Sequence, residues 1–425
     1  MGIRRASVVC SFSFLLAVLI GCAGVPEARL VTAEQLQSAG YYKYWAARLP
    51  LAKSDGVENF YLVDENLYVT TRLGHLYCVS AEEGLLRWTT SVTEPDYTIF
   101  RPSHIRTPDG NGPVVIVTTT RTYIFDRYSG DLISSFTPSF SPGAGAVGDE
   151  RRLYMGGADG RVYAMQWKHP FGGDPIGKWE LMAGGPVTAT PSLYGEEQLI
   201  FASQGGAVVS CSTFDKSCNW ARKTEDAVVA DPFVDETGVY VAGTDRSLYR
   251  FDVNTGAQRW RYRFPKPLVD PPAVARFTCY QSCPQIGLTA IDVDSGERKW
   301  VRPDGASFVA GGFGEAVIFT NSGAIEIVDT LSGQTTRSFD AKDTAQVVCN
   351  TRDDRVILAT NDGHLTCARP ESIPYLKRQQ VMAAQHALTS KPDADRQARE
   401  RQPLPPPLPE SSHVDVLRSE RDTQP

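Results

Sequence analysis

One unit, met eight times, constrains this chain more than any other feature. Its clearest copy is Gly238–Trp260, GVYVAGTDRSLYRFDVNTGAQRW. Val239–Ala242 suits a strand, Thr244–Ser247 a tight polar turn, Leu248–Phe251 a second strand, and Asp252–Gly256 a second turn leading to Trp260. Aromatic and β-branched runs cut by Gly, Asp and Asn are the pattern of hairpins. Other copies start at Asn66, Val114, Arg152, Leu199, Ala316 and Arg355. The sixth keeps Leu288–Trp300, and its first hairpin is expected to be replaced by RFTCYQSCPQIG. Matching positions in the second strand of these copies are Tyr77, Tyr123, Tyr163, Val209, Tyr249, Thr289, Glu326 and Thr366, spaced 37 to 46 residues apart. A period near 40 with four short strands per unit predicts an all-β fold, an eight-bladed β-propeller. A blade cannot bury both its faces alone, so the ring must close.

The eighth unit lacks an outer strand of its own. Tyr44–Leu49 offers one from the other end of the chain: Trp45 precedes Tyr77 by 32 residues, as Trp88 precedes Tyr123 by 35. The spacing predicts that this N-terminal strand completes blade eight. Just before it, Thr32 reads as a helix N-cap with Gln35 completing a capping box, Val31 and Leu36 forming a staple and Gly40 ending the helix. After Pro370, Ser372–Leu388 is expected to be helical. Lys391–Pro425, charged and Pro-rich, is expected to be a disordered or polyproline spacer.

The first residues carry a different message. Arg4-Arg5 precede an apolar run, Ala6–Ile20, of signal-peptide character. The run ends in Leu19-Ile20-Gly21-Cys22, which resembles a bacterial lipobox, with Cys22 as the lipid-bearing first mature residue. Ala23 after it implies sorting to the outer membrane, facing the periplasm. The expected organisation is therefore a signal peptide over 1–21, a tether and short helix over 22–43, the propeller over 44–370, and a helix and tail over 371–425. A net charge of −6 excludes a nucleic-acid footprint. Of nine cysteines, Cys10 and Cys22 belong to this leader. The other seven would meet an oxidising compartment, and an odd number leaves one thiol unpaired or intermolecular. Cys211 with Cys218, flanking the second hairpin of unit four, and Cys279 with Cys283, flanking the altered hairpin of unit six, are expected to be local disulfides. Neither pair has zinc spacing. His75 and His364 sit in corresponding turns, and no metal site is expected.

Thr255-Gly256 before Trp260, Ser295-Gly296 before Trp300 and Glu83-Gly84 before Trp88 resemble the tryptophan-docking repeat of quinoprotein-type (PQQ-like) propellers, roughly A-x-D-x-x-T-G-x-x-x-W. The resemblance covers Tyr44–Pro370. Units two and seven depart from it, ending in Phe136 and Phe339, two residues later. It implies that Trp45, Trp88, Trp220, Trp260 and Trp300 pack against neighbouring blades rather than act in chemistry. The PQQ-dependent dehydrogenases that share this repeat carry an adjacent Cys-Cys pair, which is missing here. The chain is more similar to the non-enzymatic, BamB-type repeat lipoproteins, although its long tail departs from them. That resemblance implies a scaffold without cofactor or catalytic residues, working with envelope proteins of the outer-membrane β-barrel assembly machinery. It places partner binding in inter-blade loops such as Glu225–Asp231 and Lys266–Pro272, with Asp231 and Asp270 as the residues of interest. The alternative is a propeller that binds PQQ or another ligand in an enzymatic or sensory role.

Overall fold

The computed structural model describes residues 30–92, 97–168, 176–312 and 314–386. The leader with Cys22 and the tail from Lys391 lie outside them. Eight four-stranded antiparallel sheets follow one another as blades. Blade 1 contains Val57–Val63, Asn66–Thr71, His75–Ser80 and Leu86–Ser91, from the axis outward. Blade 5, the clearest repeat, contains Phe233–Asp235, Gly238–Gly243, Ser247–Phe251 and Gln258–Arg263. Second strands lie between flanking blades on both faces, so they are mostly apolar and buried, Gly238–Gly243 along its whole length. Outer strands have water on one side and bury little besides the tryptophan position. The core is a set of clusters lying between blades. One joins Tyr240, Leu248 and Trp260 of blade 5 to Val274, Cys279 and Ile291 of blade 6.

The ring closes as the Trp45 spacing predicts. The sheet of blade 8 contains Thr344–Val347, Val356–Thr360, His364–Pro370 and then strand β1, Tyr41–Arg48. β1 pairs from Tyr41 with Pro370 to Arg48 with His364, and Leu49 N–H donates to the Gly363 carbonyl at 2.9 Å. Helix α1, Ala33–Ser38, leads into it, with the Thr32–Gln35 capping box in place and Gly40 at φ +71°. Val31 and Leu36 pack with Tyr41 against Phe339 and Ala341 of blade 7.

Three expectations need correction. The sixth blade has an ordinary first hairpin: Thr278–Cys283 pairs with Gly287–Asp292. Its turn is built on Gln285 at φ +65° and Gly287, not on an Asp-Gly pair, which hid it. Cys279 and Cys283 therefore lie four residues apart on one strand, roughly 13 Å at 3.3 Å per residue, well beyond the Cα reach of a disulfide. Cys211 and Cys218 do face each other across the ladder but stand as free thiols. A bulge between Ser210 and Cys211 separates their environments, leaving Cys211 buried and Cys218 exposed. All seven described cysteines are free, and burial pushes the Cys211 thiol up to about 12. Finally, the C-terminal helix begins at 378 rather than 372. Pro374 and Tyr375 first cross blade 8, where Tyr42 O–H donates to the Pro374 carbonyl and the Tyr42 and Tyr375 rings lie 4.0 Å apart.

Candidate functional site: the axial funnel and the seams between blades

Strand direction alternates within each blade. Turns joining strands one to two and three to four therefore fall on one face of the ring. Turns joining two to three share the other face with the inter-blade loops. A funnel of about 700 Å³ runs along the axis. Its wall includes Asp64 and Glu65 of blade 1, Arg101, His104 and Arg127 of blade 2, Thr190 of blade 4, Asp231 of blade 5 and Arg352 of blade 8.

At its blade 1–2 wall is a buried polar relay. Asn66 Nδ2 donates to Tyr68 Oη at 3.1 Å, Tyr68 Oη lies 2.8 Å from His104 Nε2, and His104 Nδ1 lies 2.7 Å from Asp64 Oδ2. With the Arg127 guanidinium beside Nδ1 as a charge neighbour rather than a donor, Tyr68 donates to Nε2 and the imidazole proton on Nδ1 is donated to Asp64. That hydrogen bond, then the Arg352 guanidinium 2.5 Å from Asp64 Oδ1, holds the Asp64 carboxyl far below the usual carboxylate range. Arg127, with a side chain only 4% exposed, pairs with Glu65 at 3.4 Å and donates to the Gly110 carbonyl.

Asp64, Glu65 and His104 are the only described group of three side chains close enough to share a metal ion. A cation is already there. The Arg127 guanidinium lies 2.9 Å from His104 Nδ1 and 3.4 Å from Glu65, so it fills the place an ion would need. Arg127 already balances these donors, and the cluster links blades 1, 2 and 8. His75 and His364 belong to no such group; His364 pairs with Asp362 at 3.1 Å.

Of the two acids singled out in the inter-blade loops, Asp231 lies in the funnel wall. Its Oδ1 accepts the Thr190 N–H of blade 4 at 2.7 Å, so it is also a structural link between blades. Asp270 is exposed to solvent, yet the protein crowding around it raises its carboxyl above the usual range. The two are not in hydrogen-bonding contact.

The five tryptophans share one geometry. Each lies on an outer strand and donates its indole N–H to a carbonyl in the next blade's last turn: Trp45 to Ala81 (3.1 Å), Trp88 to Arg127 (3.1 Å), Trp220 to Val253 (2.9 Å), Trp260 to Val293 (2.7 Å) and Trp300 to Thr330 (3.0 Å). The ring covers the turn glycine. At Gly256, φ +64°, an added Cβ would lie 2.5 Å from the Trp220 ring.

Eight four-stranded blades make the chain an eight-bladed β-propeller, and its docked-tryptophan seams are similar to those of the PQQ-like repeat. Residues 165–307, from the end of blade 3 through blade 6, match the family described as outer membrane protein assembly factor BamB. The crystal structure of BamB from Moraxella catarrhalis is similar with a TM-score of 0.63 at 14% identity, covering 79% of this chain and 99% of that one. The computationally designed Ika8 protein (0.57, 12%, covering 76% and 98%) and Sqt1 of Saccharomyces cerevisiae (0.58, 12%, covering 78% and 98%) share the fold. No curated protein matches the sequence.

Proposed function

We propose that this chain is a non-catalytic scaffold lipoprotein of the bacterial envelope. It is anchored through Cys22, sorted to the outer membrane, and presents its propeller faces to proteins of outer-membrane β-barrel assembly. The observation that carries the reading is the match of blades 4 to 6 to the BamB model, within a ring that has the BamB fold along its whole length. The lipobox at Leu19–Cys22 supports the anchor. In this reading, the loops ending at Asp231 and Asp270 contribute to partner binding on the loop face.

The test is affinity purification after cross-linking in cells, with palmitate labelling in parallel. Wild type should take up label and recover a β-barrel assembly protein, and Cys22→Ala should lose the label. Asp231→Asn with Asp270→Asn should reduce recovery. Asparagine keeps the Oδ1 acceptor for Thr190, which an arginine would remove. Labelling of Cys22→Ala overturns the anchor, and wild type recovering no envelope protein overturns the scaffold.

A further inference from the structure

The axial funnel does not end at the axis. Arg106, Thr107 and Leu193 line both the funnel and a second hollow of about 320 Å³ that runs outward between blades 2, 3 and 4. Arg106 is the sill between the two. Its guanidinium donates to the carbonyls of Leu193 at 2.6 Å and Gly195 at 3.0 Å, and makes no ion pair among the described residues. The outer hollow lies on the face opposite the inter-blade loops, because Glu150, Glu196 and Glu197 come from turns joining first and second strands, and Phe214 from a turn joining third and fourth.

Charge changes sign along this path. Around the axis, Arg127 is matched by Glu65 and Arg352 by Asp64, which leaves Arg101 and Arg106 against Asp231. In the outer hollow, Glu150, Glu196 and Glu197 are exposed and make no ion pair among the described residues, with Arg106 at the sill and Arg151 as the lining cations. Arg151 stacks at 5.9 Å on Phe214, whose ring is 62% exposed at the outer end. An exposed aromatic ring beside a charged groove offers the apolar anchor that interfaces use, with flanking charges setting register.

We propose that this groove binds an extended segment of a partner protein, with an acidic side chain toward Arg101 and Arg106, a basic side chain against Glu150, Glu196 and Glu197, and an apolar side chain on Phe214. The inference rests on the scaffold reading and adds to it a second docking face and the charge pattern of its partner.

The experiment uses the full chain and fluorescein-labelled peptides at low salt. Each peptide has a two-residue end, a Gly/Ser spacer of three, five or seven residues containing one Leu, and a second two-residue end. The ends are Asp-Asp with Lys-Lys, Asp-Asp twice, Lys-Lys twice, or Asn-Asn twice. At the best spacer the bipolar peptide should bind about tenfold more tightly than any other. Glu196→Lys with Glu197→Lys makes both ends of the groove basic and should shift preference to the all-acidic peptide. Arg101→Glu should shift it to the all-basic one. Phe214→Ala should weaken the bipolar peptide about fivefold. All these residues are exposed, and unchanged melting of each variant shows that it is folded. Equal binding of the four peptide types, or folded variants with unchanged preference, overturns the groove. If envelope partners are still recovered in that case, the scaffold reading stands. If peptides bind as expected but no envelope partner is found, the scaffold reading alone falls.

Discussion

The seam between blades 4 and 5 and the seam between blades 3 and 4 face the same packing problem and meet it with different residues. At the first, Trp220 donates to Val253 and covers Gly256. Arg222 Nε adds a bond to the Gly256 carbonyl at 2.6 Å, and Glu225 bridges Arg261 and Arg263 on the neighbouring outer strand. At the second, Trp179 occupies the place of Trp220: it pairs with Ala164 just before the same bulge, as Trp220 pairs with Ser210. The turn it meets has Lys216, φ +60°, where its counterpart has glycine. The Thr213 carbonyl, equivalent to that of Val253, accepts from Tyr154 Oη and Arg152 instead. The Trp179 indole nitrogen is buried without a hydrogen-bond acceptor. An indole docks only where the opposite turn has no Cβ, so the tryptophan and the glycine form one device written on two blades.

Substituting the two tryptophans gives the largest contrast. Trp220→Ala should cost about 3–5 kcal/mol, the usual range for a buried tryptophan. Trp179→Ala should cost about 2 kcal/mol less, because that ring is only half-buried and loses no hydrogen bond. Chemical denaturation of the two variants checks the difference, and equal losses would mean that the docked bond adds nothing to the seam.

Exchanging the turn residues has a smaller effect. Lys216→Gly relieves a left-handed lysine and should stabilise by roughly 1 kcal/mol. Gly256→Ala should destabilise by more than 1 kcal/mol, since strain and the clash with Trp220 act together. Melting curves with opposite signs would support the two-part device, and like signs would break it.

The smallest effect belongs to acid. Glu225 is held down to about 2, first by its hydrogen bond from Arg261 and then by the charges of Arg261 and Arg263. A carboxyl depressed in the folded state contributes stability above the unfolded value of about 4.3. That contribution is lost as pH falls toward 2. Glu225→Gln should therefore melt below wild type at pH 6, with the gap closing between pH 4 and pH 2. The blade 3–4 seam has Gly184 at the equivalent place and should show no such acid limb.

These contrasts also explain what the sequence makes legible. Blade number and ring closure follow from spacing, because every unit must present the same strands to its neighbours, and Trp45 keeps that spacing although its blade lies at the other end of the chain. The funnel is hidden for the opposite reason. Asp64, His104 and Arg127 come from three separate places: the turn after the first strand of blade 1, the first strand of blade 2 and the last turn of blade 2. One signal was available. Aligned on their last turns, the units have Ala81, Thr213, Val253, Val293 and Thr330 at one position, and Arg127 alone is charged there. Cys279 and Cys283 show why spacing without register is ambiguous: both lie on the strand Thr278–Cys283, and a single strand cannot bridge its own ends.

Blade 8 is built from the first and the last strands of the described chain, which has a consequence for the order of folding. β1 and its partner, His364–Pro370, are separated by some 320 residues, so β1 is unpaired until the far end of the chain is present. Until then the folding chain has an unpaired edge at each end, open to a strand from a second copy. A chain cut short before His364 therefore lacks the strand that β1 pairs with and leaves a ring that cannot seal.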